Sequence, residues 1–131
     1  MMIKSLKLML VLFVITAVAA PVSWAAETAY GYIISYSYRD KVVYHTPVFS
    51  NQVPGKSYND EEFVSDTKSQ MTLESAFQKH LIAKYKLNPM NLTTSARVTY
   101  KTEQIAKNKL DNESRDFMFK GLQIKQEAFT P

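Results

Sequence analysis

Tyr30, Tyr32, Ile34, Tyr36 and Tyr38 stand at every second position of the stretch from Thr28 to Tyr38. A two-residue period is that of a β-strand, whose successive side chains point to opposite faces of a sheet. A run this regular, and this rich in aromatic and β-branched residues, commits the chain to building a sheet around it. Arg39-Asp40 interrupts the pattern. Lys41 to Phe49 then resumes it with Val42, Val43, Tyr44, Val48 and Phe49, so the two segments read as a hairpin. Pro47 has no N–H to give to a ladder, which places the second strand at an edge or ends it there. With a turn of two or four residues, the tyrosine row shares its face with Val43, His45, Pro47 and Phe49. A three-residue turn exchanges the partners.

The remainder supplies two helices and two more strands. Ser50 to Ser69 is dense in turn formers (Asn51, Pro54-Gly55, Ser57, Asn59-Asp60, Asp66) and reads as a long loop with one helical turn over Asp60 to Val64. Leu73, Ala76, Phe77, His80, Leu81 and Tyr85 follow the spacing of an amphipathic helix, which Asn88-Pro89 stops. Ser95 to Tyr100 alternates, with Ala96, Val98 and Tyr100 against Arg97 and Thr99. Thr102 is placed to cap a second helix from Glu103 to Lys120, with Ala106, Leu110, Glu113 or Ser114, and Phe117 on its stripe. Gly121 is placed to end it in the left-handed conformation. Leu122 to Ala128 alternates as a last strand. The order β-β-α-β-α-β gives an α+β protein: a small two-layer α/β sandwich with a four-stranded sheet. Two right-handed crossovers put both helices on one face if the strands are laid down in one direction. The opposite face would then meet water or a partner.

The first 25 residues read differently. Lys4 and Lys7 precede an apolar run from Leu8 to Ala20, and Ser23-Trp24-Ala25 offers small side chains at the two positions that a signal peptidase inspects. The expectation is a cleaved signal peptide, residues 1–25, and a single domain, residues 26–131, that is exported to a periplasmic or extracellular compartment, in a host that is more bacterial than eukaryotic in character. The run falls short of the roughly 20 residues of a membrane span, so no span is expected after cleavage. There is no cysteine, so the fold rests on packing alone. Without the leader the basic count falls from 16 to 14 against 12 acids, and the formal charge from +4 to +2. The lysines are interspersed with acids, which argues against a nucleic-acid partner.

Motifs for catalysis, metal or cofactor do not emerge from the spacing. His80 lies on the apolar stripe of the first helix and reads as a histidine at the core margin, without the further ligands zinc needs. His45 lies mid-strand near Ser35, Ser37 and Asp40. Side chains on one hairpin alternate faces, however, and no oxyanion donor is evident to complete a triad. Asp60-Glu61-Glu62 reads as the solvated start of a helical turn. The strongest binding feature is the row Tyr30, Tyr32, Tyr36 and Tyr38 with His45, a set of rings with polar tips that either stack on a sugar or meet a protein, or else form the core under the helices with their hydroxyls at the rim, as large aromatics more often do. The sequence therefore points to a non-catalytic binding or interaction module of the cell envelope, with an envelope protein or glycan as partner. A small hydrolase or transferase using His45, and a structural protein dimerising through a sheet edge, are the alternatives.

Overall fold

The structure, a computed structural model, describes residues 25–131. The signal-peptide reading falls almost wholly outside the described residues. From Ala26 onward the elements are β1 (Ala26–Ser37), β2 (Val42–His45), β3 (Phe49–Pro54), α1 (Thr67–Tyr85), a 3-10 turn (Pro89–Asn91), β4 (Thr93–Tyr100), α2 (Glu103–Phe119) and β5 (Gln123–Gln126). This is a small α+β fold of two helices on a mixed sheet. Among the described residues no helix is long and apolar enough to cross a membrane.

The alternating strand is the hub. One edge of β1 pairs antiparallel with β2 and then with β3, the other edge pairs antiparallel with β4, and β5 adds in parallel to the far side of β2. Ser37 faces Val42 across a four-residue turn, Tyr38 to Lys41, and so Tyr36 opposes Val43 and Ile34 opposes His45. β2 and β3 are two halves of one partner strand, broken at Thr46-Pro47-Val48, and their registers on β1 differ by one residue. Pro47 therefore ends a strand, as its missing N–H demands. Thr46 bridges the break: its N–H donates to Ile33 O at 3.0 Å, and its hydroxyl oxygen accepts from Ile33 N–H at 3.0 Å. The segment expected to be loop after Ser50 thus opens with strand β3. Its turn formers pair well enough because β1 extends past β2 and offers them an edge.

The helices take one face each. Ile33, Val42 and Tyr44 pack with Phe77 and Leu81 of α1. Their neighbours Tyr32, Ile34 and Val43 pack with Ala106, Leu110 and Phe117 of α2. Adjacent residues of a strand point to opposite faces, so the sheet is sandwiched between α1 and α2, and the expectation of both helices on one face is corrected. The reason is strand order. The β3–α1–β4 connection crosses the sheet one way, whereas β4–α2–β5 returns across it to the opposite edge. Right-handed crossovers that travel in opposite directions deliver their helices to opposite faces.

Two local devices adjust the hub. Between Tyr30 and Tyr32 the register with β4 shifts by a bulge, so Ala96 faces the α1 side while Tyr100 faces the α2 side, unlike the single stripe read from the sequence. Gly31 sits at that point, where an added Cβ would lie 1.8 Å from Arg97 O; only a residue without a side chain permits this approach. At the ends of α2, Thr102 accepts from Ile105 N–H at 3.1 Å, and Gly121 adopts φ 85, as a cap and a left-handed stop should. α1 begins at Thr67, one and a half turns before its apolar stripe, and ends at Lys86 with φ 57.

Candidate functional site

The tyrosine row does not form one open surface. Tyr32 is 1% exposed under α2, and its hydroxyl donates to Glu113 Oε1 at 2.5 Å. Burial, then the hydrogen bond and charge of Glu113, raise its pKa far above the ordinary phenol value, so this ring is a neutral donor throughout the physiological range. Tyr30 and Tyr36 are half-buried on the same cluster, and the Tyr36 ring lies 4.9 Å from that of Phe117. Tyr38, at the turn, is 54% exposed. His45 shares a face with its cross-strand partner Ile34 and is buried; its Nδ1 donates to Thr46 O at 2.8 Å. Ser35 and Ser37 point to the other face. The speculative site of Tyr30, Tyr32, Tyr36, Tyr38 and His45 is thereby divided between core, rim and solvent, because α2 covers the face expected to be open.

A polar cluster that the sequence did not reveal sits beside α1. Glu127, just after β5, is 2% exposed, and its N–H donates to His45 O at 2.7 Å. Its carboxylate accepts from Lys84 Nζ at 2.6 Å and from the Tyr85 hydroxyl at 2.6 Å, and His80 Nε2 lies 3.0 Å from it. Burial pushes the Glu127 pKa up, but the bonds from Lys84, Tyr85 and His80 outweigh it and hold the carboxyl at about 2. Phe129 packs on Phe77 and His80, with ring centroids 5.3 and 5.1 Å away. The group is a clamp that fastens the C-terminal tail to α1. His80, Lys84 and Tyr85 lie within five residues on one side of a helix, a legible triplet. Their acceptor is more than 40 residues away in sequence, and no local pattern announces it.

A concave feature lies at the other end of α1. A cleft of about 720 Å³ opens between the Tyr58–Thr67 loop, the first turns of α1 and the outer edge of β4, within the size range of ordinary ligand sites. Its loop wall is held by main-chain bonds. Phe63 N–H donates to Thr99 O at 2.8 Å, and Lys101 N–H to Glu61 O at 2.9 Å. Asn59 Oδ1 accepts from the N–H groups of Glu61 and Glu62 at 2.9 and 2.7 Å. The expected helical turn over Asp60 to Val64 is therefore an asparagine-capped turn, since Asn59 offers the backbone a competing acceptor. Lys101 Nζ lies over the Phe63 ring at 5.6 Å and donates to Ser57 Oγ at 2.6 Å, which fixes the loop from the side.

The lining combines aromatic and polar groups. Tyr58 and Met71 are exposed at its mouth, Tyr100 and Phe63 lie deeper, and Arg97, Glu62 and Glu74 supply charge of both signs. Gln70 Oε1 is buried in the wall and has no hydrogen-bond partner among the described residues, an uncompensated acceptor of a kind folded proteins seldom keep. The sequence showed this stretch only as turn formers; what makes it a wall is its pairing to β4, about 40 residues on. No family model matches the chain, and neither a curated protein nor a solved structure matches it.

Proposed function

We propose that the chain is an exported, non-catalytic binding module of the cell envelope, and that it takes its ligand in the cleft between the Tyr58–Thr67 loop, α1 and β4. The observation that carries this reading is the cleft itself: about 720 Å³ with an exposed tyrosine and methionine at its mouth and an unpartnered glutamine acceptor in its wall. Concave sites of this size, apolar with a few convergent polar groups, are where small ligands and chain segments are held. The export half of the proposal rests on the leader, Lys4 to Ala25.

The test uses residues 26–131 immobilised and challenged with solubilised envelope proteins and, separately, with soluble peptidoglycan fragments. A retained component that is lost from a Tyr58→Ala, Met71→Lys double variant of unchanged melting temperature supports the proposal. Retention that is indifferent to both substitutions, or turnover of a fragment by the purified domain, overturns it. Mass spectrometry of the exported fraction reads the first residue directly, and an intact chain beginning at Met1 held in the cytosol overturns the compartment.

A further inference from the structure

We infer that the partner of the cleft is an extended polypeptide segment, added as a further antiparallel strand to the open edge of β4, and that the Glu74 carboxylate occupies the guest's hydrogen-bonding position in its absence. This rests on the cleft being the binding site and specifies what enters it.

The edge alternates in a way that fixes which groups are free. Ile33 turns its own N–H and C=O toward Thr46, so in the pair Ile33–Ala96 the groups of Ala96 point away from β1. Two residues on, Ser35 opposes Thr94, and the groups of Thr94 point outward likewise. The side-chain carboxylate of Glu74 fills one of these outward places: Oε1 accepts from Ala96 N–H at 3.1 Å, where a neighbouring strand's carbonyl would otherwise stand. Thr94 N–H, Thr94 C=O and Ala96 C=O lie on the same outward side.

The molecule already builds a strand on this edge. Beyond the bulge, Phe63 and Glu61 bond to Thr99 and Lys101, and Glu62 pairs antiparallel with Tyr100. After Phe63 the chain leaves for α1 at Thr67, and the edge from Arg97 to Thr93 is relinquished. A guest running in the same sense takes up the ladder where Phe63 leaves it. Space lies on both sides of Glu74: the cleft of about 720 Å³ toward Tyr100, and a second hollow of about 340 Å³ lined by Met71, Gln78, Ile82 and Thr94. Along such a strand every second side chain faces α1, so the guest carries apolar residues at alternate positions against Met71 and Ile82. Main-chain bonds supply affinity and these pockets supply selectivity, the division found in strand addition generally.

The probe is a displayed library of random peptides of about ten residues, the upper end of ordinary strand length, selected against residues 26–131. Enriched peptides are then synthesised with a single N-methyl group at each position in turn. Strand addition predicts that methylation weakens binding by about tenfold at alternate positions and little in between, the loss of roughly one good hydrogen bond. The amide of Thr94 becomes protected from hydrogen exchange, and Glu74→Ala, which removes the competing acceptor, binds several-fold tighter. The N-methyl scan needs no variant of the protein, so a misfolded Glu74→Ala leaves the test intact. No enriched peptide, no two-residue period in the scan, or an unprotected Thr94 amide overturns the inference. If peptides bind, depend on Tyr58 and show no period, strand addition falls while the cleft stands as the binding site.

Discussion

The two faces of the sheet are closed by different means. Under α2 lie Tyr32, Ile34, Val43, Tyr100, Ala106, Leu110, Phe117 and Leu122, with Tyr32 stacked on Tyr100 at 6.5 Å and anchored to Glu113. Under α1 the fully buried set is Ile33, Val42, Tyr44, Phe77 and Leu81, and the helix is fastened at its C-terminal end by Glu127 through Lys84, Tyr85 and His80. One helix is held along its length by apolar packing. The other packs through Leu73, Phe77, Leu81 and Tyr85, of which only Phe77 and Leu81 are buried, is held at one end by a buried charge, and borders the cleft at its N-terminal end. Local openings are drawn from regions with fewer buried apolar contacts, so the N-terminal turns of α1 are where the molecule can yield to a ligand at least cost.

The largest expected effect belongs to the α2 face. Tyr32→Ala should cost roughly 3–5 kcal/mol in urea unfolding, as deletion of a buried aromatic does, whereas Tyr32→Phe, which removes only the bond to Glu113, should cost about 1–2 kcal/mol. Phe77→Ala, the matching deletion under α1, should fall at the lower end, about 3 kcal/mol. If Phe77→Ala proves costlier than Tyr32→Ala, the asymmetry between the faces is reversed.

The clamp gives the comparison its pH dependence. Glu127 has its carboxyl at about 2 in the folded protein against an ordinary 4.5. A depressed carboxyl stabilises the fold in full above its unfolded pKa, and that contribution is lost as pH falls from about 4.5 through about 2. Glu127→Gln should therefore be less stable than the parent by roughly 2 kcal/mol at pH 7, with the gap narrowing across that acidic interval. A gap that stays constant from neutrality to pH 2 would show that the clamp works by shape alone.

The smallest effects are expected where neither face is involved. Tyr38→Ala and Phe119→Ala, at residues 54% and 89% exposed, should each shift stability by no more than about 0.5 kcal/mol. A larger loss at Tyr38 would mean that its contacts with Tyr36 and Phe117 belong to the α2 core after all.

Local chemistry was legible in the sequence and long-range arrangement was not. The alternation of β1, the Thr102 cap, the Gly121 stop and the Ala106–Leu110–Phe117 stripe are each written within a few residues and stand as read, whereas the turn length was open, and Phe49, set with the tyrosine row for a four-residue turn, pairs with Gly31 and packs on the α1 side because the register shifts after Thr46. The helices' separate faces follow from where β4 and β5 insert in the sheet, which no window of sequence contains. The β4 bulge had one visible trace, Gly31, but its partner is some 66 residues away. The same distance hid the site: Asn59 to Phe63 become a wall by bonding to Thr99 and Lys101, and Glu127 becomes a clamp by reaching α1. The tyrosine row was legible as a strand, and the choice between core and surface was not, because its period tells which side chains share a face and nothing of what lies over that face.

The position of β5 has a bearing on timing. It follows every other described strand in the chain, yet among the described residues it alone pairs with the far side of β2, and Glu127 follows it to fasten α1. Each core is thus closed by groups from the final tenth of the chain: Leu122 and Ile124 for one, Phe129 for the other. A nascent chain carries the hub strand some 85 residues before the pieces that complete either side of it. Pairings this distant in sequence form slowly, so neither core can close until residues 122–129 have been made.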